Sequence, residues 1–306
     1  MNEKNTLDDL HLSLGKRTRL HRLLYEHGPG KGKLLLLPID HGLEHGPVDF
    51  FPNPPSNNPD YQCRLAREGG YSGIVFHIGL AEKYMHDYAG GVPLILKING
   101  RPSIPPNDRP LSTQNAMVED AVRLGADAVG YTLYVGSPRQ TEDLTQLKKV
   151  RSKCERYGLP LIIWSYPRGE AVERKGGRDS IYAVDYAARL ANELGADVVK
   201  LNVPDFKDPK NLDSPQPYQD LYEEWKALDE EEAYRKAVEK VIESAGKTMV
   251  LFSGGSKVSD EDLLRKARIC MESGATGLIF GRNMWQRPFQ EGAEITQRVK
   301  EVLLTN

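Results

Sequence analysis

The chain has 306 residues, of which 39% are hydrophobic and 27% charged, a mixture typical of one large globular domain or two small ones. Its 41 Lys and Arg residues nearly balance 43 Asp and Glu residues. The resulting net charge of -2 argues against nucleic acid or a membrane surface as a partner bound through bulk electrostatics.

The three cysteines and the apolar runs point to a reducing, aqueous location. Cys63, Cys154 and Cys270 are widely spaced, which excludes a disulfide framework and a zinc knuckle. The longest apolar runs, such as residues 34–37, are far shorter than the roughly 20 residues of a membrane helix. We therefore predict a soluble cytoplasmic protein that binds neither nucleic acid nor membrane.

Eight short apolar segments, bounded by Gly, Pro or Asp, predict eight β-strands. They are continuously apolar rather than alternating, which is typical of parallel strands covered by helices on their outer face. In chain order they end near Asp40, His77, Ile98, Leu133, Tyr166, Asn202, Ser253 and Gly281.

Helical patterns lie between these strands. Apolar residues at 3-to-4 spacing predict helices over residues 112–124, 141–157, 180–194, 231–244 and 259–273. Four helices are followed directly by a glycine, which fits a C-terminal cap with positive φ. These glycines are Gly125, Gly158, Gly195 and Gly274.

Eight strand-helix units predict a (β/α)8 TIM barrel that uses residues 1–306 as a single domain. Residues 1–31 form an N-terminal helical extension in this interpretation. A doubly wound open sheet is the alternative, but no GxGxxG motif follows the first strand. The long segment 203–230 after strand six is either a solvated insertion with a short helix, a lid, or an oligomer contact.

Lys200 is the first candidate catalytic residue, since it lies in an apolar strand. Alternation places Val198, Lys200 and Asn202 on one face of strand six. Burial of a lysine favours its neutral amine, which can attack a ketone to form a Schiff base. Alternatively, Lys200 reaches solvent or pairs with a barrel carboxylate such as Asp40.

Strand five carries Trp164 and Tyr166 on one face, one strand away from Lys200. A tyrosine there could transfer protons, and an indole could form one wall of a substrate site. An aromatic core layer is the alternative.

The first strand ends in the loop that contains Asp40, His41, Glu44 and His45. Asp40 at a strand end could hold a substrate hydroxyl or tune a nearby lysine. The same four side chains could instead be metal ligands, or Asp40 could simply cap a helix. Lys97 near the end of strand three could lower the pKa of Lys200 or contact phosphate, and the sequence does not decide between these roles.

Glycine turns follow strands seven and eight, where barrels often bind phosphate through backbone N–H groups. Arg282 stands beside the second turn and could reinforce an anion site. Together the two turns predict a phosphorylated small-molecule substrate. The turn residues are Ser253, Gly254, Gly255, Gly281 and Arg282.

With these features in place, the chain resembles the archaeal-type class I fructose-bisphosphate aldolases of the DeoC/DhnA-like aldolase family over residues 33–302. The motifs that carry the resemblance are PIDHGLEHGPVDF at 38–50, AEKY at 81–84, PLILKING at 93–100, LIIWSYPRG at 161–169, GADVVKLN at 195–202, FSGG at 252–255 and FGRNMWQR at 280–287.

The resemblance implies a metal-independent, cofactor-free lyase of glycolysis and gluconeogenesis that cleaves fructose 1,6-bisphosphate and assembles as a homo-oligomer. It implies that Lys200 forms the Schiff base, Tyr166 is the general acid/base, and Asp40 and Trp164 orient the substrate. It also implies that the phosphosugar is bound by His41, Gly42, Leu43, Glu44, His45, Ser165, Asn202, Ser253, Gly254, Gly255, Gly281 and Arg282.

Two departures leave the sugar preference open. Asn202 stands where some family members have a second lysine, and the segment 203–230 is longer than in many members. The alternatives are a related Schiff-base transaldolase-like synthase or thiolase, a metal-dependent aldolase, and a phosphosugar-binding or regulatory barrel without catalysis.

Overall fold

Eight parallel strands close into a barrel in the computed structural model, which describes residues 7–305. Each strand pairs with its neighbours in chain order, and β8 closes on β1 through Leu34 and Gly277. All eight predicted strands and the predicted barrel are confirmed. The strands are β1 Leu34–Pro38, β2 Gly73–His77, β3 Leu94–Lys97, β4 Ala128–Val135, β5 Leu161–Pro167, β6 Val198–Asn202, β7 Met249–Ser253 and β8 Gly277–Ile279.

Helices alternate with the strands and cover the barrel. The larger ones are Pro59–Gly69, Ile78–Tyr84, Val118–Arg123, Gln140–Tyr157, Ile181–Glu193, Glu230–Ala245, Asp260–Glu272 and Phe289–Thr305. Shorter helical segments are His41–Glu44, Pro47–Phe50, Pro54–Asn57, His86–Tyr88, Glu170–Glu173 and Arg282–Trp285. The predicted cap glycines Gly125, Gly158, Gly195 and Gly274 have φ values of 65°, 62°, 83° and 102°. None of the helices within residues 7–305 is both long and apolar enough to cross a membrane.

The helix predicted over 112–124 begins only at Val118. The residues before it are extended, because Thr113–Gln114 pairs with Asn99–Gly100 in a short antiparallel ladder. The buried Asn99 amide donates hydrogen bonds to the carbonyls of Ser112 and Thr132. These long-range bonds override the local helical pattern, which periodicity alone could not reveal.

Alternation along the strands separates two cores. Interior side chains such as Leu36, Ile162 and Val198 form one buried cluster. Outward side chains such as Val199 and Leu201 pack with the helices in another. Each fully buried aliphatic side chain contributes about 1.5–3 kcal/mol, so a one-residue shift of a strand would be very costly.

The N-terminal extension closes the amino end of the barrel. Residues 1–6 of the predicted extension lie outside the described residues, and Leu14–His21 and Arg22–Glu26 are helical. Leu20, Leu23 and Leu24 from these helices belong to the interior cluster. Lys16 is buried against Glu155 and Asp197, and its Nζ lies 2.9 Å from the Asp197 carboxylate.

The segment 203–230 packs against the outer helices. It contains the turn Pro209–Asp213 and the helix Gln216–Trp225. Phe206 and Trp225 form a small apolar cluster with Ile181 and Ala233. The predicted short helix is therefore present, and its aromatic side chains give the segment a core of its own.

Candidate active site

A cavity of about 810 Å³ opens at the carboxyl ends of the strands. Among the residues that the sequence predicted for the site, those that line it are Asp40, His41, Glu44, His45, Trp164, Tyr166, Lys200, Asn202, Ser253, Gly254, Gly255, Gly281 and Arg282. The predicted residues that do not line it are Gly42, Leu43 and Ser165. A barrel brings these distant segments together because all its strand ends meet at one face.

Lys200 lies in the wall of this cavity, with 7% of its surface exposed. Its Nζ is 4.2 Å from the centre of the Tyr166 ring, and its backbone pairs with that of Trp164. Burial lowers the pKa of Lys200 to about 7, although the carboxylates of Asp40 and Glu44 oppose this. About half of the amine is then uncharged at neutral pH, as a nucleophile requires.

Lys97 is the second interior lysine and has no exposed surface. Its Nζ lies 3.0 Å from Asp40 Oδ2 and 3.1 Å from Glu44 Oε1. Burial opposes its charge, but the carboxylates of Glu44 and Asp40 outweigh burial and raise the pKa of Lys97. The barrel carboxylate Asp40 therefore pairs with Lys97 rather than with Lys200.

The Asp40 carboxylate remains ionised despite its burial. Burial alone would raise its pKa, but the positive charge of Lys97, with smaller contributions from His41 and His77, holds the pKa of Asp40 well below its ordinary range. Burial lowers the pKa of His41 to about 4, so this ring is neutral at pH 7.

The remaining loop residues divide between the cavity and the core. The His45 ring is bound to Asp49 at 2.7 Å, and this hydrogen bond raises the pKa of His45. The Leu43 side chain lies against Gly100, and Gly42 lies beside Phe50, which accounts for their absence from the cavity wall. Within residues 7–305 no group of three His, Cys, Asp or Glu side chains is arranged to hold a metal ion.

Ser165 faces the helices rather than the cavity, which corrects its predicted binding role. Its hydroxyl donates a hydrogen bond of 2.9 Å to the carbonyl of Ala187. Trp164 and Tyr166 point inward, so strand alternation directs the residue between them outward. The alternation of side chains along this strand, which can be read from the sequence, already predicts that Ser165 faces outward.

The two glycine turns meet at one end of the cavity. A Cβ atom on Gly281 would lie 2.7 Å from His41 Cε1, and Gly255 has a φ of 67°. Arg282 Nη2 lies 3.3 Å from the Gly255 carbonyl and so joins the turns. Glycine at these positions keeps the backbone N–H groups accessible, as an anion site requires.

A hydrogen-bonded chain fixes the side chains next to these turns. The Ser253 hydroxyl donates to Asn202 Oδ1 at 2.9 Å, and Asn202 Nδ2 donates to Asp179 Oδ1 at 2.7 Å. Asp179 had no sequence signal, because it lies in a loop between helices.

Arg168 and Arg178 are cavity residues that sequence reasoning missed. Arg168 directly follows β5, and its guanidinium lies 5.0 Å from the centre of the Tyr166 ring. Burial and the charge of Arg178 lower the pKa of Arg168. The position of Arg168 at a strand end was the available signal, whereas the loop residue Arg178 offered none.

Fold and site together define a Schiff-base aldolase barrel. Residues 34–287 match the family model of DeoC/LacD family aldolases, and the chain belongs to this family. The resemblance predicted from the motifs is therefore confirmed.

The relatives place the chain more narrowly among the archaeal-type class I fructose-bisphosphate aldolases. It is 42% identical to the class 1 fructose-bisphosphate aldolase of Thermoproteus tenax, over 84% of this chain and 85% of the relative. A crystal structure of an archaeal fructose 1,6-bisphosphate aldolase is 37% identical, with a TM-score of 0.77 over 94% of this chain and 99% of its own.

A second archaeal aldolase structure has its catalytic lysine covalently bound to the carbinolamine intermediate of the substrate. It is 37% identical, with a TM-score of 0.76 over 94% of this chain and 98% of its own.

Proposed function

We propose that this chain is a class I aldolase that reversibly cleaves fructose 1,6-bisphosphate to dihydroxyacetone phosphate and glyceraldehyde 3-phosphate. The observation that carries the proposal is the buried Lys200 amine, which lies in the cavity beside Tyr166 and has a pKa lowered to about 7. The activity of the relatives, and the covalent lysine intermediate of one of them, support the same reaction.

In this mechanism the neutral Lys200 amine attacks C2 of the ketose, and loss of water from the carbinolamine gives an iminium ion. Tyr166 then removes the proton of the C4 hydroxyl, and the C3–C4 bonding electrons move into the iminium to form an enamine. Glyceraldehyde 3-phosphate leaves as the aldehyde. Protonation of C3 and hydrolysis of the imine release dihydroxyacetone phosphate and regenerate the amine.

Other cavity residues orient the substrate in this proposal. Asp40, held ionised by Lys97, accepts a hydrogen bond from a sugar hydroxyl, and the Trp164 indole forms a wall. The glycine turns with Arg282 bind one phosphate. Arg168 and Arg178 supply a second positive region that suits the other phosphate of a bisphosphate.

Borohydride trapping tests the Schiff base directly. We expect incubation with dihydroxyacetone phosphate and sodium borohydride to inactivate the enzyme and to add one reduced adduct, which peptide mass spectrometry assigns to Lys200. The Lys200→Met variant is the control and should remain unlabelled. An adduct on another lysine, with Lys200 unmodified, would contradict the proposal.

We also propose that no cofactor takes part, because the iminium ion itself accepts the electrons of the broken bond. Full activity after exhaustive treatment with EDTA is the expected result, and loss of activity would favour a metal-dependent aldolase. Comparing turnover of fructose 1,6-bisphosphate with that of other phosphosugars separates the aldolase from a related synthase. Absence of all turnover would favour a binding barrel.

From the resemblance to its family we further propose a cytoplasmic homo-oligomer built from single-domain subunits. Light scattering on the purified protein tests the assembly, and a monomer at micromolar concentration would contradict it.

A further inference from the structure

At the carboxyl end of the barrel, Lys97 and Lys200 lie near the carboxylates of Asp40 and Glu44, and the two lysines are unequally paired with them. Asp40 and Glu44 both bind Lys97 within 3.1 Å. Lys200 has no ion pair with any residue of the described range 7–305. Because two buried positive charges would be costly, the choice of partner decides which lysine carries a proton.

We propose that Lys97 is a positioning residue that takes both Asp40 and Glu44 as its own counter-ions and thereby leaves the Lys200 amine uncharged for attack on the substrate carbonyl. This inference rests on the proposed nucleophilic role of Lys200. It adds a role for Lys97 and reinterprets Glu44, which the sequence had predicted as a sugar contact.

The surroundings of Lys97 are built around its side chain. Lys97 pairs with Gly130 on β4, where a Cβ atom would lie 3.1 Å from Lys97 Cδ and 2.9 Å from the Trp164 ring. Its Nζ also lies 4.8 Å from the centre of the Trp164 ring. Glycine at position 130 thus makes room for both side chains, and the indole occupies the space on one side of the ammonium group.

The charged and titratable groups around the two lysines come from several elements. The charges that act on Lys200 belong to Asp40, Glu44, Lys97 and Arg282, and the Tyr166 ring lies against it. Asp40 and Glu44 contact Lys97. The positive charge of Lys97 also acts on the nearby side chains of His77 and Tyr134. Burial and Lys97 lower the pKa of His77 to about 4, so that its ring is neutral near pH 7.

Removal of Lys97 would leave the buried carboxylate of Asp40 and the partly buried carboxylate of Glu44 without their shared cation. They would then stabilise the ammonium form of Lys200, and the pH needed for imine formation would rise by about 1–3 units. Loss of Glu44 alone has the opposite effect, because one attraction for the Lys200 proton disappears. A purely structural role for Lys97 would reduce activity at every pH without moving the midpoint.

The test is the pH dependence of borohydride labelling with saturating dihydroxyacetone phosphate, from about pH 5 to about pH 10. Four proteins are compared: the parent, Lys97→Met, Glu44→Gln and the double variant. We expect half-maximal labelling near pH 7 in the parent. We expect a midpoint about 1–3 units higher in Lys97→Met with labelling restored at high pH, a lower midpoint in Glu44→Gln, and an intermediate midpoint in the double variant.

Each result decides the inference. An unshifted midpoint in Lys97→Met, or labelling lost at every pH in a folded protein, would overturn it. If Lys97→Met does not fold, Glu44→Gln decides, and a midpoint equal to or above the parent value would overturn the inference. Absence of Lys200 labelling in the parent would instead refute the proposed function.

Discussion

Lys16 at the amino end of the barrel and Lys200 at the carboxyl end are both buried, but they differ in their partners. At the amino end, Lys16 contacts Glu155 and Asp197. Burial there opposes the charge, but Asp197 and Glu155 outweigh it and raise the pKa of Lys16. At the carboxyl end, burial prevails and lowers the pKa of Lys200 to about 7. Burial alone therefore does not make a nucleophile, and the absence of a bound carboxylate is equally necessary.

Replacement of Lys200 should have the largest effect and should confirm that this end carries the chemistry. We expect Lys200→Met to lower kcat by at least about 10⁴-fold, because the amine proposed to form the imine is removed. The melting temperature should stay the same or rise, since an unpaired buried amine is replaced by an apolar side chain. Steady-state kinetics and calorimetry measure both effects. Appreciable residual turnover would show that Lys200 is not the amine that carries the reaction.

Replacement of Tyr166 should separate proton transfer from imine formation. We expect Tyr166→Phe to lower kcat by about 10²- to 10⁴-fold, the usual contribution of a general acid/base. Borohydride labelling of Lys200 should persist, because the amine is unchanged. If labelling were lost as well, the Tyr166 hydroxyl would be needed for imine formation and not only for proton transfer at C4.

Replacement of Lys16 should affect stability and leave chemistry intact. We expect Lys16→Met to lower the free energy of unfolding by about 3 kcal/mol, because the buried Asp197 carboxylate loses its cation. Denaturant unfolding measures this loss, and kcat of the folded variant should equal that of the parent. A large drop in kcat with unchanged stability would show that the two ends are coupled.

The pH dependence of stability should have opposite signs for the two lysines. Between pH 7 and the ordinary lysine pKa of 10.5, Lys200 is mostly deprotonated in the folded chain but protonated in the unfolded chain. Its contribution therefore makes stability rise with pH across this window. The raised pKa of Lys16 gives a contribution that is complete below 10.5 and is lost only above it.

Unfolding titrations of the parent and the two variants test these signs. The difference between parent and Lys200→Met should change with pH between 7 and 10.5, whereas the difference for Lys16→Met should stay constant there. A constant difference for Lys200→Met would mean that its folded and unfolded pKa values are equal.

Ser165 provides the smallest expected effect and a control inside the catalytic strand. We expect Ser165→Ala to lose about 1 kcal/mol of stability, because the hydrogen bond from the Ser165 hydroxyl to the Ala187 carbonyl is removed. The kinetic constants for fructose 1,6-bisphosphate should not change. A raised KM would show that Ser165 contributes to substrate binding after all.

The amino-acid sequence determined most of the fold and the main candidates of the site. Continuous apolar strands, helical spacing and cap glycines are local patterns, and they predicted all eight strands in order. Strand alternation then placed Lys200, Trp164 and Tyr166 on interior faces, and it also directs Ser165 outward, although Ser165 was predicted as a contact. The helix predicted over 112–124 is present but begins only at Val118, because Asn99 donates a hydrogen bond to the Ser112 carbonyl and holds the preceding residues extended.

Only the tertiary structure decided which charges neutralise each other. Lys97 and Asp40 are 57 residues apart in the chain, and their 3.0 Å contact depends on how β1 and β3 are arranged around the barrel. The same closure brings Arg168 and Arg178 to the cavity and Lys16 to Asp197 at the opposite end. Periodicity reports which face a side chain occupies, but the energy of a buried charge depends on neighbours that only the closed barrel brings within contact distance.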